Sequence, residues 1–234
     1  MKSVAVVTAT TGRKELQQAM DSVAAQTYPC EHYIFVDGMY EHDTFEVNPG
    51  PNNKIRIVHK CALPVRTGSN GMMNGGIVAA SAFLVQEDMI CWLDDDNWFE
   101  PDHIEKLVKA KGDKPYAYSL RSLRNVDGSL FANDDFESIG HHGSFIDLNC
   151  YLMNRNIAVQ IAPLWYKTTG ELMIGDRFVY QALKENNLES ACSGLYTLNY
   201  RLNEKRDLRG FFFEGNIKTR AQFPDGFPWA KDTK

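Results

Sequence analysis

Short apolar runs that end abruptly in polar residues, with helical stretches between them, recur through residues 1–110 and leave few folds open. Val4 to Val7 is a β-branched run that gives way to Thr8-Ala9-Thr10-Thr11-Gly12, which reads as a buried strand and its turn. Leu16, Met20 and Val23 then fall at helical spacing within residues 14–26, and Pro29 stops that helix. Tyr33 to Val36 is a second strand closed by Asp37-Gly38, and Lys54 to His59 alternates as a third. Asn74 to Val85 reads as a helix with small residues on one face. Met89 to Leu93 is another buried strand that runs straight into Asp94-Asp95-Asp96-Asn97. Pro101 opens a helix through about Ala110, with Asp102 and Glu105 in its first turns. Alternation of this kind predicts an α/β chain with a parallel sheet and helices on both faces. Such sheets bind ligands beyond the carboxyl ends of their strands. Thr8 to Thr10, Asp37 and Asp94 to Asp96 all fall there, so three polar groups are expected to converge on one edge.

The second half reads differently. Tyr116 to Leu123 and Ser129 to Phe131 flank Asp127-Gly128, a hairpin turn pair. Phe145 to Met153 is read as one strand, Asp176 to Glu185 as a helix, and Leu195 to Leu202 as a last strand. Gly210 to Trp229 is rich in Pro, Gly and aromatics. It reads either as a lid or oligomer contact, or as an ordered tail that packs its aromatics on the body.

Lys and Arg total 25 against 30 Asp and Glu, a net charge of −5, which argues against a nonspecific nucleic-acid binder. The five cysteines are widely spaced with no C-x-x-C pair, so a zinc site is not expected and a reducing, cytoplasmic setting is. No apolar stretch reaches membrane-spanning length, and a soluble protein is expected.

The acidic triplet carries the chemistry. Adjacent carboxylates at the end of a buried strand repel one another and call for a cation to offset them. Carboxylates select hard cations such as Mg²⁺ or Mn²⁺, and phosphates commonly complete the shell. A solvated acidic turn before the Pro101 helix is the plainer alternative. His141-His142 with Asp147 and Asn149 form a polar stretch suited to a substrate contact or a metal ligand, though paired loop histidines are more often surface residues. Trp98, just after the acidic run, is the aromatic best placed to stack on a ligand ring, although buried core aromatics are the commoner case.

Several segments bear a resemblance to family 2 glycosyltransferases, a large class with the GT-A fold. Residues 3–13 resemble the opening strand and turn of that family. Ser22-Val-Ala-Ala-Gln-Thr-Tyr-Pro29 is similar to its S-V-x-x-Q-T-Y-P helix end, and Phe35-Val-Asp-Gly38 to its V-D-D-G. Gly68-Ser-Asn-Gly-Met-Met-Asn-Gly-Gly-Ile77 resembles G-x-x-x-x-x-N-x-G-I. Trp92-Leu-Asp-Asp-Asp-Asn-Trp-Phe-Glu-Pro-Asp102 resembles the L-D-x-D-D-x-x-x-P-D metal segment. The likeness thins after residue 110. It resumes at residues 170–177, where Gly175 replaces the family's Glu and Asp176 falls on its Asp, and at Tyr200-Arg201, which resembles the Y-R of a late strand.

The resemblance implies a single GT-A domain over 1–234: a mixed central sheet with a Rossmann-like N-terminal half, flanked by helices. Residues 1–110 would bind the nucleotide sugar, 111–209 would supply acceptor and catalytic groups, and 210–234 would form a C-terminal segment, a candidate lid. It implies a donor, most simply a UDP-sugar, bound by Thr8, Ala9, Thr10, Arg13, Asp37, Arg66, Asn74, Asp94 and Asp95. It implies Mn²⁺ or Mg²⁺ on Asp96 and Asp94, with Asp95 able to share that role. Asp176 matches the general base of an inverting transfer to a hydroxyl acceptor, and an N-cap of the following helix is the structural alternative. Trp98, His142, Asp147 and Asn149 are the acceptor candidates. The rival functions are a sugar-phosphate nucleotidyltransferase, disfavoured by the single Gly in Thr8 to Arg13, and a non-catalytic nucleotide-sugar or glycan-binding module.

Overall fold

The computed structural model describes residues 1–37, 54–59, 74–141, 143–166, 175–202 and 208–230. The expectations that fall on Arg66, His142, Gly38 and residues 68–73 and 170–174 lie outside the described residues.

One mixed sheet organises the chain. Its first half is β1 (Val4–Thr10), β2 (Glu31–Val36), β3 (Lys54–His59) and β4 (Met89–Trp92), in the order β3-β2-β1-β4 with every pairing parallel. The helices α1 (Leu16–Ala24), α2 (Gly75–Leu84) and α3 (His103–Lys111) alternate with these strands. Val4, Ala5, Val6 and Val7 are at most 2% exposed, as expected of a strand covered on both faces. β1 runs three residues further than its apolar run predicts. Parallel pairing to β2 carries the ladder through Thr8, Ala9 and Thr10, and so presents the turn beyond the sheet edge.

The sheet continues with reversed direction. β8 (Tyr151–Asn154) pairs antiparallel to β4, β6 (Tyr116–Arg124) antiparallel to β8, and β9 (Ser190–Arg201) parallel to β6. β5 (Trp98–Phe99) closes the edge against β9, and β7 (Leu130–Asn133) folds back on β6 through the Asp127-Gly128 turn. Gly128 there has φ +87°, a left-handed conformation in which a side chain would be strained. The architecture is the α/β GT-A arrangement expected from the sequence.

One expectation needs correction. Phe145 to Met153 is not one strand. Asp147 turns the chain by accepting Asn149 N–H at 2.9 Å, a 3₁₀ turn spans Leu148–Cys150, and pairing begins only at Tyr151. Two further helices were not read from the sequence: α4 (Arg155–Trp165), which packs on α2, and α6 (Arg209–Gln222). α5 (Gly175–Glu185) forms where a helix was expected. Beyond α6, Phe223 and Phe227 pack with buried Trp229 beside Leu120 and Ile139, so these tail aromatics sit on the body.

Candidate functional site

The acidic turn inherits its position from β4. Leu93 N–H donates to Val7 O at 2.9 Å, so the chain leaves the sheet beside the end of β1. Asp37 leaves β2 on the other side of β1, with its N–H donating to Thr10 O at 2.7 Å. A cleft of about 270 Å³ opens between these strand ends. Its walls include Ala9, Thr10, Arg13, Asp37, Asn74, Asp94, Asp95 and Asp96, residues scattered through the sequence and joined here. Thr11, Asn97, Tyr200 and Arg201 complete the lining.

The three carboxylates of the turn have different surroundings. Asp95 is buried, accepts the Thr10 hydroxyl at 2.7 Å, and faces Arg13 Nη2 at 3.1 Å. Burial raises its pKa, and Arg13 opposes that rise. Asp96, with its side chain 31% exposed, takes Arg13 Nη1 at 2.7 Å, so one guanidinium spans both carboxylates. Asp94 is held by amides: Asn74 Nδ2 donates at 3.0 Å and Asn149 Nδ2 at 2.9 Å. Burial, and secondarily Asp96, push its pKa up to about 7.

Arg201 braces the turn from behind. Its Nε donates to Asp96 O at 3.1 Å, its backbone N–H to Asn97 Oδ1 at 2.9 Å, and its remaining donors reach Val126 O and Gln18 Oε1. The guanidinium lies 4.8 Å from the Trp98 ring centroid. Trp98 therefore stacks on Arg201 and does not line the cleft. Tyr200 and Arg201 were noticed only as a late Y-R pair; their place on the cleft wall follows from β9 running parallel to β6 and ending beside the acidic turn.

Several predicted residues lie elsewhere. Thr8 is fully buried with its hydroxyl 2.9 Å from His32 Nε2, beneath the cleft floor. Asp147 and Asn149 are buried one layer behind Asp94. Asp176 begins α5, its Oδ1 accepts Arg177 N–H at 2.8 Å, and it is not part of the cleft wall. Burial first, and Asp147 second, push its pKa up to about 8 against the pull of Arg121 and Arg177.

The chemistry of the cleft admits a hard dication. Asp94 is only partly exposed, its hydrogen-bond partners among the described residues include no cation, and Asp96 reaches the cleft as a second oxygen donor. Among the described residues no three His, Cys, Asp or Glu side chains group into a closed metal cage. A dication at Asp94 and Asp96 would therefore draw its remaining oxygens from a bound phosphate or water.

Fold and cleft together define a glycosyltransferase of the GT-A class. The chain belongs to glycosyl transferase family 2, whose model matches residues 3–133. Among solved structures, S. aureus TarS 1–349 in complex with UDP-GlcNAc is similar with a TM-score of 0.59 at 10% identity, over 97% of this chain and 67% of that one. The same TarS fragment with UDP gives 0.57 at 12% identity, over 97% and 66%. TarS without that truncation gives 0.55 at 11% identity, over 97% and 40%. At these identities the likeness is one of fold, and the chain spans about two thirds or less of the TarS chains. Comparison with curated proteins finds no match. Among the described residues no helix is long and apolar enough to cross a membrane.

Proposed function

We propose that the chain is an inverting glycosyltransferase that moves a sugar from a UDP-sugar to a hydroxyl acceptor, with Mn²⁺ or Mg²⁺ bound at Asp96 and Asp94. The observation that carries this reading is the convergence of Thr10, Arg13, Asp37 and the acidic turn on one cleft at the ends of three parallel strands. In this reading Asp37 accepts a base N–H, and Arg13 meets a phosphate oxygen once its carboxylate partners are engaged otherwise. The bound dication would neutralise charge that builds on the departing diphosphate.

The reaction forms a bond from the acceptor oxygen to the anomeric carbon and breaks the bond from that carbon to the diphosphate oxygen, which keeps the electron pair. The acceptor's proton must go to a base. Asp176 is that base in this reading, supported by its resemblance to the family's Asp and by a pKa that desolvation, with Asp147 adding to it, pushes up to about 8. The test is UDP release from UDP-GlcNAc and other UDP-sugars, with Mn²⁺ or with EDTA. Release that depends on the metal is expected. UDP binding without any release would favour the binding-module alternative, and no binding would refute the donor site.

A further inference from the structure

Arg121 lies within β6, and its side chain is 2% exposed yet meets three carboxylates. Nε donates to Asp134 Oδ2 at 2.8 Å, Nη1 to Asp147 Oδ2 at 2.5 Å, and Nη2 to Glu137 Oε2 at 2.6 Å. The guanidinium also sits 4.5 Å from the ring centroid of Tyr200, a cleft residue. The three arms lead to different places. Asp134 is occupied locally, accepting the N–H groups of Phe136, Glu137 and Ser138, and so shapes a turn. Glu137 passes to Arg177 Nη2 at 3.0 Å, the residue after Asp176. Asp147 passes to the cleft: its Oδ1 accepts both Asn149 N–H at 2.9 Å and Asn149 Nδ2 at 2.8 Å.

The polarity of this last arm is fixed along its length. Asp94 N–H donates to Asn149 Oδ1 at 2.5 Å, which turns Asn149 Nδ2 toward Asp94 Oδ2 and Asp147 Oδ1. An ionised carboxylate only accepts, so Asp147 can satisfy Arg121 on one oxygen and Asn149 on the other. No isosteric amide can do both. In Asp147→Asn the new NH₂ must face either Arg121 or the Asn149 donors, and one buried donor is left opposed.

We propose that Asp147 and Asn149, oriented by Arg121, are positioning residues for sugar transfer that fix the Asp94 carboxylate at the cleft wall. Through Glu137 and Arg177 the same guanidinium ties down the start of α5, so the donor carboxylate and the residue read as the base share one frame. The inference rests on the transferase reading given above. It reassigns Asp147 and Asn149, expected as acceptor contacts, to support of the donor site.

The test compares Asp147→Asn, Asn149→Ala and a control, Asp135→Asn. Asp135 is another buried acid of the same region, but it is bound to Tyr196 and Arg220 and lies outside the network. UDP release is followed at saturating metal with whichever of UDP-GlcNAc and UDP-glucose the wild-type chain turns over faster. Thermal melts and active fraction are measured alongside. Since small misplacements of reacting groups cost up to about 10²-fold, Asp147→Asn should lower kcat at least about tenfold with donor KM within about threefold. Asn149→Ala should lower kcat/KM by at least as much. Asp135→Asn should lower the melting temperature and leave kcat, per folded molecule, within about twofold. If Asp147→Asn does not fold, Asn149→Ala, which removes no charge, decides alone. Wild-type kcat per folded molecule in the network variants would overturn the proposal. A wild-type chain that releases no UDP fails the transferase reading instead.

Discussion

Asp176 is where burial and chemistry pull in opposite directions. A base must be ionised to take a proton, yet burial together with Asp147 pushes its pKa up to about 8, with Arg121 and Arg177 opposing. If Asp176 is the base, kcat should climb about tenfold per pH unit below that value and level off above it. Asp176→Asn keeps the shape and should lower kcat by about 10²–10⁴ while UDP affinity, read by calorimetry, stays close to wild type. Turnover near the wild-type rate would leave Asp176 as a helix-start residue only. Stability should move the other way. The folded carboxyl holds its proton up to about pH 8, whereas the unfolded one releases it near 3.8. Between those values the native state binds more protons, so this group costs the fold increasing stability as pH rises, on the order of a few kcal/mol by pH 8. Asp176→Asn removes that cost. Its melting temperature should exceed wild type, by a gap that widens from pH 5 to pH 8; a gap that does not change with pH would contradict the protonated carboxyl.

At the scale of elements, what the sequence disclosed depended on how regular each element's burial is. β1, β2 and β4 are covered on both faces and read as plain apolar runs, so they and the polar residues at their ends were legible. α6 was not. Of Phe211, Phe212 and Phe213 only Phe212 is buried, while the other two are 47% and 61% exposed, so the triplet shows no helical face. Gly210 and Gly215 lower helix propensity further. Gly215 has a reason that only the packed structure reveals: a Cβ built there would come 2.2 Å from Phe136 Cδ1. The helix docks because this position is bare. α4 was hidden by Pro163 within it and by the reading of residues 145–153 as a single strand. Gly215→Ala tests the docking. Helix propensity alone favours Ala by about 1 kcal/mol. The clash with the Phe136 ring, which packs edge-on against Phe211 of the same helix, should outweigh this and destabilise by about 1–3 kcal/mol. Denaturant melts check the sign, and a stabilised variant would mean that Phe136 swings aside freely. The Arg121 network was equally hidden, because an Arg within a strand gives no sign of partners 13, 16 and 26 residues away.

For the molecule as a whole, the sheet changes direction where the site forms. The four parallel strands end together on one edge, and β8 then pairs antiparallel to β4, bringing Asn149 of the second half against Asp94 of the first. The cleft is thus built mainly from residues matched by the family model, 3–133, and completed by Tyr200 and Arg201 from outside it, with Asn149 behind Asp94. Ligand binding at such a seam should stabilise both halves at once. A ligand that binds only the folded state at about 100 times its Kd adds about 2.7 kcal/mol. For a chain of this size that is a rise in melting temperature of roughly 5–10 °C. UDP with Mn²⁺ should give such a rise, and UDP with EDTA a much smaller one, since Asp94 and Asp96 would then repel the diphosphate. Asp96→Ala should melt near the wild-type temperature without ligand, because its carboxylate is partly exposed and, among the described residues, bonded to a half-exposed Arg13. It should lose most of the UDP–Mn²⁺ shift. Equal shifts with EDTA and with Mn²⁺ would remove the metal from the mechanism and leave Arg13 as the counter-ion of the diphosphate. No shift at millimolar UDP in either condition would remove the nucleotide from the cleft.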